Sequence, residues 1–331
     1  MTAHPAAPQI IRMSGNHGRS SCRSFGIRLP LPLLLVALIA PLAGCDEPTA
    51  ESVFALDPFY RQEYFTQLQP SEADVLFVID SSCSMEDEQG KLAANFPRFI
   101  EFFLERQLSF RLAVTTTNIG EPESAHGLEG RLAGEPPWIS EETPALEQAF
   151  VDRALVGIDP GHGSEKGLSA AYAALALPEP PDDAFVRSDA QLAVVVVSDE
   201  PDFSERLEEP EHEDWISWET LSTFLDGMKG PGMQRMTQLS AIVGIGPEGF
   251  EDPNGCGGDF NSGNGALRGS GYLEAAVATG GLWLSICEED WGNMLARVGL
   301  AAAGLQDSFA LGEVPAPGTI EVRVEGALSH H

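Results

Sequence analysis

Asp80, Ser82 and Ser84 occupy alternate positions in Asp80-Ser81-Ser82-Cys83-Ser84-Met85, directly after the apolar run Val75-Leu76-Phe77-Val78-Ile79. Such a run is expected to form a buried strand, which would gather the three residues on the loop that leaves it. One carboxylate and two hydroxyls are hard oxygen donors. They suit Mg²⁺, Ca²⁺ or Mn²⁺ rather than a metal held by sulfur or imidazole. A second carboxylate, Asp199, follows Val194-Val195-Val196-Val197-Ser198, whose composition is that of a strand buried on both faces. In an open parallel α/β sheet, ligands bind beyond the carboxyl ends of the strands. Two central strand ends would therefore bring Asp80 and Asp199 to one place.

The elements that must position these residues alternate along the chain. Strands are expected over Asp74–Ile79, Phe110–Thr116, Gln191–Val197, Leu239–Ile245 and Leu282–Ile286. Helices are expected over Glu86–Arg106, Pro144–Val156, Glu165–Leu177, Trp215–Met228, Gly271–Ala278 and Glu288–Ala303. In the first helix Leu92, Phe96, Phe99, Ile100 and Phe103 recur at helical spacing around Pro97. Asn118–Glu142 is rich in Gly and Pro and is expected as a long loop holding a weak strand. Repeated strand–helix alternation implies a doubly wound, mainly parallel central sheet with helices on both faces. At the end, Ile320, Val322 and Val324 alternate with polar residues; a turn at Val314–Gly318 would join them to Phe309–Leu311 as an appended β-hairpin.

The pattern Asp80-x-Ser82-x-Ser84 after a first apolar strand, with Asp199 after a later one, resembles the metal-ion-dependent adhesion site (MIDAS) of von Willebrand factor A (vWA) domains. The resemblance covers 73–305, and the stretch from Gly271 through Gly280-Gly281 to Trp291 looks like a subgroup of bacterial vWA lipoproteins. It implies a vWA/Rossmann-like fold in which Asp199 touches the ion directly or through water. The family's second metal loop supplies a threonine. Here that slot falls in Gly161-His162-Gly163-Ser164-Glu165-Lys166-Gly167, which has none. Ser164 would supply the hydroxyl or Glu165 a carboxylate, the latter shifting preference towards Ca²⁺. The ion would complete its shell with a carboxylate from a protein or other ligand. The family often couples the site to movement of its last helix.

The net charge of -31 excludes nucleic acid and anionic lipid surfaces as partners. Residues 1–44 carry Arg12, Arg19, Arg23 and Arg28, no acid, and an apolar run from Leu29 to Leu42 broken by prolines. Those are signal-peptide features rather than those of a membrane span. Leu42-Ala43-Gly44-Cys45 looks like a bacterial lipobox, which implies lipidation of Cys45 and a cell-envelope location, in the periplasm, at the outer membrane or on the cell surface. The organisation expected is a signal at 1–44, a tether at 45–72 with a short helix around Phe59–Gln69, the vWA domain at 73–305 and a β extension at 306–331.

Cys83, Cys256 and Cys287 remain in the domain, an odd number that permits one internal pair. Cys256–Cys287 is the expected bridge, because Cys83 sits inside the metal-loop motif; three free thiols are the alternative. Two further segments are less telling. Glu251–Asn261 is expected as a turn-rich loop pinned by Cys256, with a second Ca²⁺ loop as the alternative, and Glu208–Asp214 as a solvated acidic loop.

An enzyme is not expected. Gly-x-Ser-x-Gly and a Walker-type phosphate loop are absent, and an aspartate-based phosphatase would need an acid where Ser82 stands. The reading is a lipid-anchored ligand-binding domain. The competing readings are a metal-free structural lipoprotein, in which Asp80 and the serines merely cap the first helix, and, more remotely, a metal-dependent hydrolase.

Overall fold

A computed structural model describes residues 9–16, 60–67, 72–119, 127–158, 165–176, 185–204, 216–230, 236–257, 265–305, 314, 319–324 and 327–329. The chain divides into two compact units, 68–308 and the two chain ends, 1–67 with 309–331. The unit of the chain ends holds strands β1 (Gln9–Asn16) and β2 (Tyr60–Gln67) from the first segment. Its last two strands, β10 (Glu321–Val324) and β11 (Ala327–Ser329), form an antiparallel pair. The four make an antiparallel sheet in the order β11-β10-β1-β2.

This gives the C-terminal hairpin, but with different strands from those expected. Val322 and Val324 pair with Ser329 and Ala327, and Phe309–Leu311 lies outside the described residues. The short helix expected around Phe59–Gln69 is instead strand β2. Its aromatic residues Tyr60, Tyr64 and Phe65 favour an extended chain, and an eight-residue ladder to β1 outweighs local helix propensity.

The larger unit is built on five parallel strands: β3 (Glu72–Ile79), β4 (Ser109–Thr116), β5 (Gln191–Ser198), β6 (Thr237–Val243) and β9 (Trp283–Ser285). Between the last two, β7 (Cys256–Gly257) and β8 (Gly265–Ala266) form a small antiparallel pair. The sheet order is β4-β3-β5-β6-β9. The chain leaves β3 to one side to make β4, then returns past it to make β5 on the other side. The C-terminal ends of β3 and β5 therefore flank the topological switch point of the sheet, where such folds bind ligands. Among the described residues, the weak strand expected in the long loop is one bridge, Ile139 against Leu112.

Both faces of the sheet are covered, which explains the uninterrupted apolar runs. Val75, Phe77 and Ile79 of β3 and Ala193, Val195 and Val197 of β5 pack into one core. That core also takes residues of α1 (Glu86–Arg106), α2 (Leu146–Ala154) and α6 (Trp291–Ala302). The alternate residues, Leu76, Val78, Leu192, Val194 and Val196, pack into a second core with α3 (Gly167–Ala176), α4 (Trp218–Met228) and α5 (Tyr272–Thr279).

The first core is rich in phenylalanine. Phe96 and Phe150 stack with centroids 3.8 Å apart, and Phe77 meets Phe99 edge-on at 5.2 Å. Helix α6 lies close enough to α1 that a Cβ on Gly299 would stand 2.3 Å from the Phe99 carbonyl oxygen. Cys256 and Cys287 form a disulfide with Cα atoms 6.1 Å apart, linking β7 to the turn before α6, and Cys83 is a free, exposed thiol.

Candidate functional site

Asp80 is the first residue beyond β3 and is fully buried. Its amide donates to Val197 O at 3.0 Å, which extends the β3–β5 pairing by one step and fixes the start of the loop. Ser82 N donates to Asp80 Oδ1 at 2.7 Å, and Ser198 Oγ donates to Asp80 Oδ2 at 2.6 Å. The carboxylate is thus held from its own loop and from the end of β5. Gln89 of α1 donates from Nε2 to the Asp80 carbonyl at 2.9 Å, anchoring the loop to the helix that follows. Ser82 and Ser84 hydroxyls lie 3.0 Å apart. A short 3₁₀ turn, Cys83–Met85, leads into α1, whose N-cap is Met85 with no side-chain cap. Asp80 and the serines therefore do not cap the first helix. Glu86, Asp87 and Glu88 of its first turn suit the positive end of the helix dipole.

Asp199 follows β5 and is nearly buried, and its Oδ1 has no hydrogen-bond partner. Its carbonyl accepts from Leu267 N at 2.8 Å, which holds the backbone. Glu165 precedes α3, is fully buried, and neither of its carboxylate oxygens has a partner. Its carbonyl accepts from Phe203 N at 2.7 Å, and Lys166 N donates to Thr117 O at 3.0 Å. The second loop is thereby tied both to the segment after Asp199 and to the end of β4. Ser164, the other candidate in that loop, lies outside the described residues, as do His162, Cys45 and the acidic cluster 208–214.

All three carboxyls are pushed up from their ordinary values. Burial pushes Asp80 up to about 6; hydrogen bonds from Ser198 and Ser82 pull it back, and the charge of Glu200 adds to the rise. Asp199 is raised to about 7, first by burial and then by the charge of Asp80, with Ser84 acting the other way and Glu200 and Glu88 adding. Glu165 is raised to about 10 by burial, Asp80 and Glu200. The oxygen donors left without partners fit a hard divalent cation. Among the described residues, no three carboxylates, imidazoles or thiols converge closely enough to hold a metal ion by themselves.

Three residues that the sequence reading missed build the frame. The N-terminal amides of α3 are met by side chains from elsewhere: Gly167 N donates to Tyr272 Oη at 3.1 Å, Leu168 N to Asp202 Oδ1 at 3.0 Å, and Ser169 N to Ser204 Oγ at 2.9 Å. Asp202-x-Ser204, three residues after Asp199, was the available signal. The Asp252 loop has a structural explanation. Asp252 Oδ1 accepts from Asn254 N and Nδ2, each at 2.9 Å, and Oδ2 accepts from Glu248 N at 3.1 Å. Its carboxylate holds a turn, as the turn-rich reading expected.

No protein-family model matches the chain. No curated protein matches it. Among solved structures, proximal thread matrix protein 1 from the mussel byssus aligns at 13% identity and TM-score 0.39, over 71% of this chain and 48% of that one. Another structure of that protein, with a zinc-occupied MIDAS motif, aligns at 13% identity and 0.39, over 71% and 46%. The conserved hypothetical protein BatB from Bacteroides thetaiotaomicron aligns at 14% identity and 0.35, over 70% and 98%. The pilus adhesin SpaC from Lactobacillus rhamnosus GG, in its open conformation, aligns at 12% identity and 0.38, over 74% and 32%. The chain thus spans about half the length of the mussel protein and a third of the adhesin. The fold class stands on the strand order and the two covered faces.

Proposed function

We propose that this chain is a lipid-anchored, extracytoplasmic binding domain that engages a protein or other ligand through a divalent cation, and that it is not an enzyme. Asp80, Ser82, Ser84 and Asp199 would hold the ion, with Ser164 or Glu165 contributing from the second loop. One observation carries the reading. Carboxylates from three loops are buried at the switch point of the sheet, and three of their oxygens have no partner. A buried ionised carboxylate without compensation is unstable, and a cation bound there removes the cost.

When bound, the ion supplies a Lewis-acidic position for a carboxylate of the ligand. The chain's own residues set the rest. Ser198 and the Ser82 amide orient Asp80, and the Leu267 amide fixes the Asp199 backbone. The hydroxyls of Ser82 and Ser84 add donors without adding charge, which would leave the ion open to an anionic ligand.

A metal-free structural role is favoured by one feature, the two hydrogen bonds that already occupy Asp80 and let it serve its own loop. Calorimetric titration of Mg²⁺, Ca²⁺ and Mn²⁺ into the chain and into Asp80→Ala separates the two. Saturable binding that disappears in the variant is expected, and absence of binding in both would leave only the structural role.

The anchor and location rest on the signal-like segment and Leu42-Ala43-Gly44-Cys45. Among the described residues no helix is long and apolar enough to cross a membrane. Cleavage before Cys45 would remove β1 from the mature protein. Replacing Cys45 with Ser should move the chain from the membrane fraction to the soluble one; retention in membranes would refute lipidation there.

A further inference from the structure

Thr115 and Thr116 end β4 and Thr117 follows it, and the three differ in one respect. Thr115 Oγ1 donates to Arg131 O at 2.9 Å, and Thr116 Oγ1 accepts from Leu128 N at 3.1 Å. Thr117 is fully buried, yet its hydroxyl has no partner. A buried hydroxyl left without a hydrogen bond is costly, and native structures rarely keep one without a reason.

The position of Thr117 supplies a reason. β4 pairs with β3 in parallel, with Thr116 opposite Ile79, so the next pair along is Thr117 and Asp80. Thr117 N donates to Ile79 O at 3.3 Å, which carries the pairing to the strand end. Side chains alternate across a strand. Ala113 lies in the core on the α3 face, and Leu112 and Val114 lie in the other core. Continuing the alternation puts Thr117 on the α3 face. The same count from Leu76 and Val78 puts Asp80 there too. Adjacent strands stand about 4.8 Å apart, so the two side chains are neighbours on that face. On its other side, Thr117 O accepts from Lys166 N at 3.0 Å, next to the unpartnered carboxylate of Glu165. Thr117 thus lies between Asp80 and the second loop.

We propose that Thr117, from the end of β4, supplies the bound cation with the hydroxyl that the second loop lacks as a threonine. This rests on the ion-binding reading above and assigns a ligand to that site from a strand end the motif does not include. The hydroxyl adds an oxygen without adding charge, so it keeps the ion open to an anionic ligand where a further carboxylate would not.

The test uses the full chain in detergent, with MgCl₂, CaCl₂ and MnCl₂ as the probes in calorimetry. Thr117→Val keeps the shape and deletes the hydroxyl, and Thr117→Ser keeps the hydroxyl. Thr117→Val should weaken ion binding about tenfold or more, and Thr117→Ser should stay within about threefold. Without ions, Thr117→Val should melt at or above the parent temperature, because the deleted hydroxyl had no partner. Ion binding that is lost in Asp80→Ala but unchanged in Thr117→Val would overturn this assignment and leave the site standing. Equal weakening in both Thr117 variants, with a lowered ion-free melting temperature, would mark a packing role and overturn it too. No ion binding by the parent chain would overturn the site and this ligand together.

Discussion

Glu165 offers the sharpest test of the site's electrostatics. Both its oxygens are buried, and its carboxyl is raised from 4.5 to about 10 by burial, by the charge of Asp80 and by the neighbouring Glu200 carboxylate, through hydrogen bonding as well as charge. In the unfolded chain the same group ionises near 4.5. Between the two values the folded protein holds a proton that the unfolded chain has released. Stability from this group is therefore complete below the unfolded value and is lost as pH rises towards the folded one. Each pH unit in that window removes about 1.4 kcal/mol, so moving from pH 4.5 to about pH 7.5 withdraws about 4 kcal/mol. For a unit of this size, that corresponds to roughly 10 °C in melting temperature.

Glu165→Gln removes the charge at nearly constant shape. In EDTA, the parent should lose melting temperature between pH 5 and pH 7.5 more steeply than the variant, and the variant should melt roughly 10 °C higher at the upper pH. Asp80 acts on Glu165 and titrates with it, so the difference between the two proteins reads Glu165 together with its effect on Asp80. Excess Ca²⁺ at pH 7.5 should then raise the parent more than the variant, since the ion displaces the Glu165 proton and gains a carboxylate that the variant lacks. Parallel pH profiles for the two proteins in EDTA would refute this account of Glu165.

Two further perturbations test the frame. Reducing Cys256–Cys287, or replacing both cysteines with Ser, should destabilise by about 3–4 kcal/mol on the chain-entropy account. Because Cys287 lies in the turn before α6, reduction should also change ion affinity if that helix is coupled to the site, and calorimetry before and after reduction reads both effects. Gly299→Ala should cost about 2 kcal/mol in chemical denaturation, because its Cβ would stand 2.3 Å from the Phe99 carbonyl and force α6 away from α1.

The parallel sheet was legible because strands buried on both faces leave apolar runs with little else to be. Helix α1 was read to its ends, Glu86 and Arg106, from the helical spacing of Leu92, Phe96, Phe99, Ile100 and Phe103. Strand β2 was misread because eight mixed residues carry no decisive period, and its state depends on pairing with a distant segment. At the site, Asp80 and Asp199 were readable as strand-end carboxylates. Burial was not readable. Nothing local says that Glu165 is wholly enclosed, or that Thr117 is the one threonine of three left without a partner. Those facts come from the register of β4 on β3 and from the side chains that cap α3 from outside its own sequence.

The rim of the site constrains what can bind there. Glu88 and Glu200 both raise Asp199, so negative charge surrounds the place where a ligand carboxylate would arrive. The whole chain, at -31, extends that field. A divalent cation is drawn in, but a carboxylate on a neutral or acidic surface is repelled until the ion is reached. A carboxylate flanked by Lys or Arg meets attraction at the rim and coordination at the centre. Peptides bearing one Asp between lysines, between alanines or between glutamates would separate these terms in the presence of ion. The lysine-flanked peptide should bind best and weaken as salt shortens the Debye length from about 10 Å at 0.1 M to about 3 Å at 1 M, while the glutamate-flanked one should strengthen. Equal affinities across the three peptides at low salt would mean that the rim charges do not govern entry.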